Sequence, residues 1–384
     1  MISTKQVPKN SNPVTRYGLS KAALFLILGV ICLFAVGLLM VFNTTAAEAI
    51  DKSLYEQTHH AFLHQMLYAL IGTGLGFTTY FIGYRRLLFL SPFLLGVITL
   101  FLVLVLIPGV GRQLNGARRW IEIVGFSFQP SEFAKILIPL FFIHACEKTK
   151  GPLRLSTLLK VLMVVAIPIV LILTEPDNGT VAIIMMTLMA LLYLMRVRWV
   201  YWALPVLVLA SIGVVAAMNM PHVKSRIAVY LNPELDLRGK GHQPYQAKIA
   251  AGSGGIWGRG PGESLQKQGY LPEARSDYIA AIFAEEFGFV GILVLIGSLM
   301  AMTSLGFRIS KRACDRQGFF LASILTFLLF FQAFLNLGVV SGLLPSKGTN
   351  LPFFSQGGSS LLAGCIALSL ILSVERKSNV YVEE

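Results

Sequence analysis

Apolar runs long enough to cross a bilayer recur along this chain from residue 19 to residue 374. That pattern constrains the fold more than any motif does, because about 20 consecutive apolar residues make a helix that spans the hydrocarbon core. The runs are continuous rather than alternating, which disfavours a membrane β-barrel. No segment between them is large enough to fold alone in water. Composition agrees: 13% of residues are charged, against roughly 25% in soluble domains. The expectation is an all-α polytopic membrane protein.

Ten spans are expected. The first follows the basic segment Met1 to Lys21 and runs to Asn43. The others cover roughly 60–84, 87–109, 130–147, 157–174, 180–196, 199–218, 277–307, 317–344 and 356–374. Lys and Arg concentrate on cytoplasmic loops. With the N-terminus inside, the inner loops carry Arg85 and Arg86, then Lys148 to Lys160, then Arg196 and Arg198, then Arg308 to Arg316. Both termini are then cytoplasmic. Residues 1–18 form an N-terminal tail, 19–374 a single membrane domain and 375–384 a C-terminal tail. The long loop 219–276, between helices 7 and 8, lies outside.

The formal charge is +13. In a soluble chain that balance would suit nucleic acid; here cationic helix ends facing anionic headgroups account for it, and no nucleic-acid partner is expected. The four cysteines lie scattered in or beside apolar runs and read as small buried hydrophobes. His60 and His64 are one helical turn apart but lack a third ligand.

Two outer loops break the charge rule. Loop 110–129 carries Arg112, Arg118 and Arg119, and loop 219–276 carries eight Lys/Arg against four acids. Topology has no need of these cations. Either charge-assisted hydrogen bonds to a phosphorylated lipid or sugar, or attraction to anionic lipid of the outer leaflet, accounts for them.

Several stretches carry polar chemistry. In Gln129-Pro130-Ser131-Glu132-Phe133-Ala134-Lys135, Pro130 suits a first helical turn, and Glu132 and Lys135 share one face where they can neutralise each other. Glu175-Pro176-Asp177-Asn178-Gly179-Thr180 reads as a tight turn with a helix cap. The segment from Gly342 through Lys347 to Ser360 is a shaped loop entering the last span, with Lys347 a point charge suited to phosphate. Residues 252–291 begin as a glycine-rich loop and end as an apolar helix, with Asp277 at the junction. An acid there is either a helix cap or a functional group. As one continuous helix from Asp277, Glu285 would lie about 12 Å away, too far for a paired-carboxylate site.

Taken together, GARRW, QPSEFAK, EPDNGT, the stretch GSGG to AEEFGFVG, and GLLP to FFSQGGSS resemble the SEDS family (shape, elongation, division and sporulation) of peptidoglycan polymerases, in family order. The resemblance implies a ten-helix fold and inverting transfer of a lipid-II disaccharide onto a growing glycan. It implies Asp277 as the catalytic residue, acting on a proton or as a metal ligand, and Glu132 and Lys135 as a charged pair lining the cavity. Arg118, Arg119, Lys267, Arg275, Lys347 and Ser355 are the remaining substrate-binding candidates. It further implies a divalent cation, Mg or Mn, with no organic cofactor. The implied partners are lipid II, a class B penicillin-binding protein (a transpeptidase) and other division proteins. The implied site of action is the bacterial inner membrane at the septum. Lys347 after Pro345-Ser346 and the ending Gly357-Gly358-Ser359-Ser360 resemble the FtsW division branch more than the RodA elongation branch. Where the family commonly has His-Thr-Asp-Phe, this chain has Arg275-Ser276-Asp277-Tyr278. Two other classes fit ten spans: a lipid-II flippase without bond chemistry, and a scaffold that only recruits a transpeptidase. The flippase explains poorly why the cations concentrate on one face.

Overall fold

A computed structural model describes residues 19–51, 55–114, 117–123, 125–148, 154–203, 207, 230–236, 239, 241–346 and 348–381. The chain begins with two long helices, α1 (Lys21–Asp51) and α2 (Tyr55–Ile82). Gly83, at φ 80°, turns the backbone directly into α3 (Tyr84–Leu106). Then follow α4 (Pro130–Glu147), α5 (Leu155–Thr174) and α6 (Asn178–Leu194). Pro130 sits in the first turn of α4, where its missing N–H costs nothing. The Asp177 carboxylate caps α6 by accepting from Thr180 N at 3.2 Å.

Among the described residues, six helices are long and apolar enough to cross a membrane: α1, α3, α5, and the later α8 (Ile279–Lys311), α9 (Arg316–Val340) and α10 (Gly358–Tyr381). Outer-facing Phe, Leu and Val side chains along them, such as Phe93, Val170 and Val294, are exposed, as lipid contact demands. The expected span 199–218 is represented by a short 3₁₀ turn, Trp199–Tyr201; residues 204–206 and 208–218 lie outside the described residues. Within loop 219–276, α7 (His242–Ser253) packs against α8.

Helices α2 and α10 form the largest helix contact, α3 lies on α4, and α8 packs between α1 and α9. At one end, Asp315 caps α9 through Gly318 N at 2.7 Å and pairs with Arg85 at 2.6 Å, tying the α2–α3 corner to the α8–α9 corner.

Two features depart from an all-α bundle of straight spans. Residues in 110–129 form an antiparallel sheet of β1 (Gly111–Leu114), β2 (Ala117–Ile123) and β3 (Phe126–Phe128), in order β1-β2-β3. Ala117 and Ile121 are buried while Glu122 is exposed, an alternation too short to stand out beside 20-residue apolar runs. The second departure is in α8. It starts at Ile279 rather than at 277 and breaks at Gly288, whose φ of 65° and ψ of −163° no helix contains.

Candidate active site

Helix α4 brings Glu132 and Lys135 into the interior. Lys135 Nζ lies 2.8 Å from Glu132 Oε2 and donates to Gln332 Oε1 on α9 at 3.0 Å. Lys135 is only 2% exposed, and the two partners offset the cost of burying its amine. Gln332 Nε2 in turn donates to the Asn350 carbonyl at 3.0 Å. One turn along α9, Asn336 Nδ2 donates to the Asp277 carbonyl at 2.8 Å and to the Thr349 carbonyl at 2.6 Å. Asn336 thus holds the Asp277 backbone against the loop that precedes α10.

The opposite wall comes from β2 and the α5–α6 turn. Arg119 Nε donates to the Glu175 carbonyl at 2.9 Å, and its Nη2 donates to the Pro176 carbonyl at 2.6 Å. This fork leaves Nη1 3.9 Å from Asp177 Oδ1. Asp177 Oδ2 also accepts from the Thr180 hydroxyl at 2.7 Å. These walls enclose a cavity of ≈ 410 Å³, lined by Arg119, Glu132, Lys135, Asp177, Asp277 and Gln332 among others.

Asp277 stands at the N-terminal approach to α8, with Tyr278 rather than Asp277 in the cap position. Its carboxylate packs on Gly348, where an added Cβ would lie 2.8 Å from Oδ2. Enclosure by protein on the sides away from the cavity pushes its pKa up to about 7; Glu273 and Asp177 push the same way, and Arg119 opposes them. Behind Arg119, the Glu175 carboxyl is 1% exposed and neither oxygen has a hydrogen-bond partner. Burial and the nearby Asp177 raise it to about 8, again against Arg119. The arrangement sets a carboxylate poised near neutral pH beside fixed cations, the geometry of proton removal near a developing anion.

Of the residues expected from sequence, Asp277, Arg119, Glu132 and Lys135 meet in this cavity. Others do not. Arg118 lies next to Arg119 on β2 but is not among the lining residues, although Ala117, Arg119 and Trp120 are. Lys267 is buried elsewhere, ion-paired to Glu286 at 3.0 Å. Ser355 accepts from Leu351 N at 2.8 Å and braces the loop before α10 instead of facing the cavity. Arg275 contributes its carbonyl to Gln356 N at 3.0 Å, and its side chain is not in the lining. Lys347 lies outside the described residues. Glu285 is engaged by a loop and takes no part in the cavity.

By its sequence context Asp177 reads only as a turn residue and a cap, and Gln332 and Asn336 join the site without having been expected there. The last two had a visible signal: amide side chains one turn apart inside the apolar helix FFQAFLN.

The fold and cavity together define a polytopic membrane protein with a charged chamber of ≈ 410 Å³ built between helices and a small sheet. Comparison with known proteins places it further. The chain belongs to the FtsW/RodA/SpoVE family, described as "Cell cycle protein", whose model matches residues 23–380. It is 36% identical over 361 residues to the probable peptidoglycan glycosyltransferase FtsW of Trichlorobacter lovleyi, covering 93% of this chain and 94% of the relative. The Coxiella burnetii protein of the same name is 36% identical over 354 residues, covering 90% and 94%. A chain from a peptidoglycan synthase complex that coordinates polymerization and crosslinking superposes with a TM-score of 0.77 at 26% identity, covering 94% and 99%. The rod shape determining protein RodA of Thermus thermophilus shares the fold, with a TM-score of 0.68 at 24% identity, covering 94% and 98%.

Proposed function

We propose that this chain is a peptidoglycan glycosyltransferase of the FtsW branch, polymerising lipid II on the outer face of the bacterial inner membrane during septal wall synthesis. The reading rests on membership of the family together with one observation: Asp277, held at a pKa of about 7, shares a cavity with Arg119 and with the Glu132–Lys135 pair. Asp277 takes the proton from the acceptor sugar hydroxyl, a role suited to a base titrating near the working pH. Arg119 faces the departing lipid diphosphate, where charge develops as the glycosidic bond breaks. The carbonyl fork on Arg119 means that its direction is set before substrate arrives. Lys135 and Glu132 form the polar floor.

Among the described residues no three His, Cys, Asp or Glu side chains converge as a preformed metal site. The alternative role for the same carboxylate, in place of proton removal, is to hold a Mg²⁺ or Mn²⁺ jointly with the substrate diphosphate, a donor set that fits the usual mode for such ions. When bound, that ion would neutralise diphosphate charge.

In this reading the chain has ten spans with both termini cytoplasmic, and the β1–β3 sheet and α7 face outward. A class B penicillin-binding protein supplies cross-linking. The test is purified protein in lipid nanodiscs with labelled lipid II. Glycan strands formed without another polymerase, and lost in a well-folded Asp277→Asn variant, are expected. Wild-type polymerisation by Asp277→Asn would sink the assignment of that residue; transport of lipid II without any product would favour a flippase.

A further inference from the structure

Two adjacent carboxylates on α8 are buried outside the cavity. Glu285 and Glu286, each 1% exposed, end the first half of α8 just before the Gly288 break. Glu285 is engaged by the loop 254–267, and Glu286 by that loop and by α1. Glu285 accepts from the Ser264 hydroxyl at 2.6 Å and from Leu265 N at 3.1 Å, with Arg259 Nε at 3.4 Å. Glu286 accepts from Lys267 Nζ at 3.0 Å and from Asn43 Nδ2 on α1 at 2.7 Å; Lys267 also donates to Asn43 Oδ1 at 2.7 Å.

The backbone makes a second set of ties. Arg259 N and Gly260 N donate to the carbonyls of Glu285 and Glu286, both at 3.0 Å, satisfying groups that the break orphans. On the other side of Gly288, Phe289 N and Val290 N donate to the carbonyls of Gly255 and Ile256, at 2.9 and 3.1 Å. A Cβ on Gly258 or Gly288 would collide with the crossing backbone. The loop therefore passes through the break as a strap. At the opposite end of the same half-helix stands Asp277.

We propose that Lys267, Glu286 and Asn43 are positioning residues, locking the strap and the half-helix 279–287 into one unit that sets where the Asp277 carboxylate stands. The half-helix is short and stiff, its far end is held by the strap, and its near end by Asn336. A shift at Glu286 is therefore carried along the helix to Asp277. This inference rests on the polymerase reading above and is separable from it.

The experiment uses full-length protein in nanodiscs, with amide hydrogen exchange and polymerisation measured on each variant. Lys267→Met leaves the Glu286 charge without its cation. Exchange across the strap should quicken by at least about 100-fold, since stranding a buried charge is strongly destabilising. kcat should fall by about 100-fold, the scale of an ångström-sized displacement of a reacting group, while KM for lipid II holds. The swap Lys267→Glu with Glu286→Lys should recover protection and rate together. Should Lys267→Met not fold, Asn43→Ala loosens only the tie to α1 and carries the same expectation in smaller degree. A strap that loosens while kcat stays at the wild-type value overturns the proposal, as does a loss appearing only in KM. Wild-type protein that makes no glycan refutes the polymerase reading instead, whatever the exchange shows.

Discussion

The raised pKa of Asp277 makes a quantitative prediction about rate against pH. A base works in its deprotonated form. With a pKa of about 7, about one-eleventh of Asp277 is ionised at pH 6 and about ten-elevenths at pH 8, so single-turnover polymerisation should rise about ten-fold between them. A carboxylate at its ordinary value, near 4, would give a flat profile over that range. The neighbours give the direction of further shifts. Glu273 pushes the Asp277 pKa up, so Glu273→Gln should move the midpoint toward acid pH. Arg119 holds it down, so Arg119→Gln should move the midpoint toward alkaline pH, on top of its own loss of rate. Glu175, raised to about 8, titrates nearby, and Glu175→Gln removes that overlap. The assay is a rapid-quench measurement of labelled glycan across pH 6 to 8.5, on protein whose fold is checked at each pH. A flat wild-type profile, or shifts of the same sign in the Glu273 and Arg119 variants, would refute the electrostatic account. Linkage adds an independent check. A native pKa above the unfolded value means stability is fullest below the unfolded pKa and declines as pH rises through about 7. Asp277→Asn, which cannot ionise, should therefore raise the melting temperature relative to wild type at pH 8 and not at pH 4.

Two further perturbations follow from packing. Gly348→Ala puts a methyl 2.8 Å from Asp277 Oδ2, so kcat should fall by about 100-fold with the melting temperature little changed, whereas Gly96→Ala, where the added Cβ meets nothing, should be silent in both. Lys135→Gln strands Glu132 in the interior and should lower stability by about 3–5 kcal/mol, read by thermal unfolding in detergent; an unchanged melting temperature would mean that the pair is solvated.

Much of the site was legible because its residues violate local rules. Lys135 in an apolar helix, Arg119 on a loop with no topological need for cations, and Asp277 at a loop–helix junction each stand out against hydrocarbon-compatible surroundings. Arg118 and Lys267 violate the same rule, yet neither lines the cavity. Charge alone marks a residue as expensive without saying what meets it. For Lys267 the partner is Glu286, nineteen positions on; Arg118 lies outside the lining although Ala117, Arg119 and Trp120 of the same strand are in it. Asp177 shows the opposite: capping α6 explains it completely at the local level, although the same carboxylate also lies 3.9 Å from Arg119 Nη1 in the cavity wall.

Hydrophobicity by itself determined that the chain is a bundle of membrane helices, since the solvent's demand for satisfied backbone groups leaves few alternatives for such long apolar runs. It also gave most helix boundaries to within a few residues, α4 among them. Only the tertiary structure decided that the helix after Asp277 is two pieces. Apolar residues continue on both sides of Glu285-Glu286 and Gly288, and nothing local shows that another backbone must pass there. The crossing exists because residues 254–260 arrive from outside the helix and exchange hydrogen bonds with it. The same holds for the cavity: its walls come from α4, α9, β2 and two loops, and their meeting is a property of packing between distant segments.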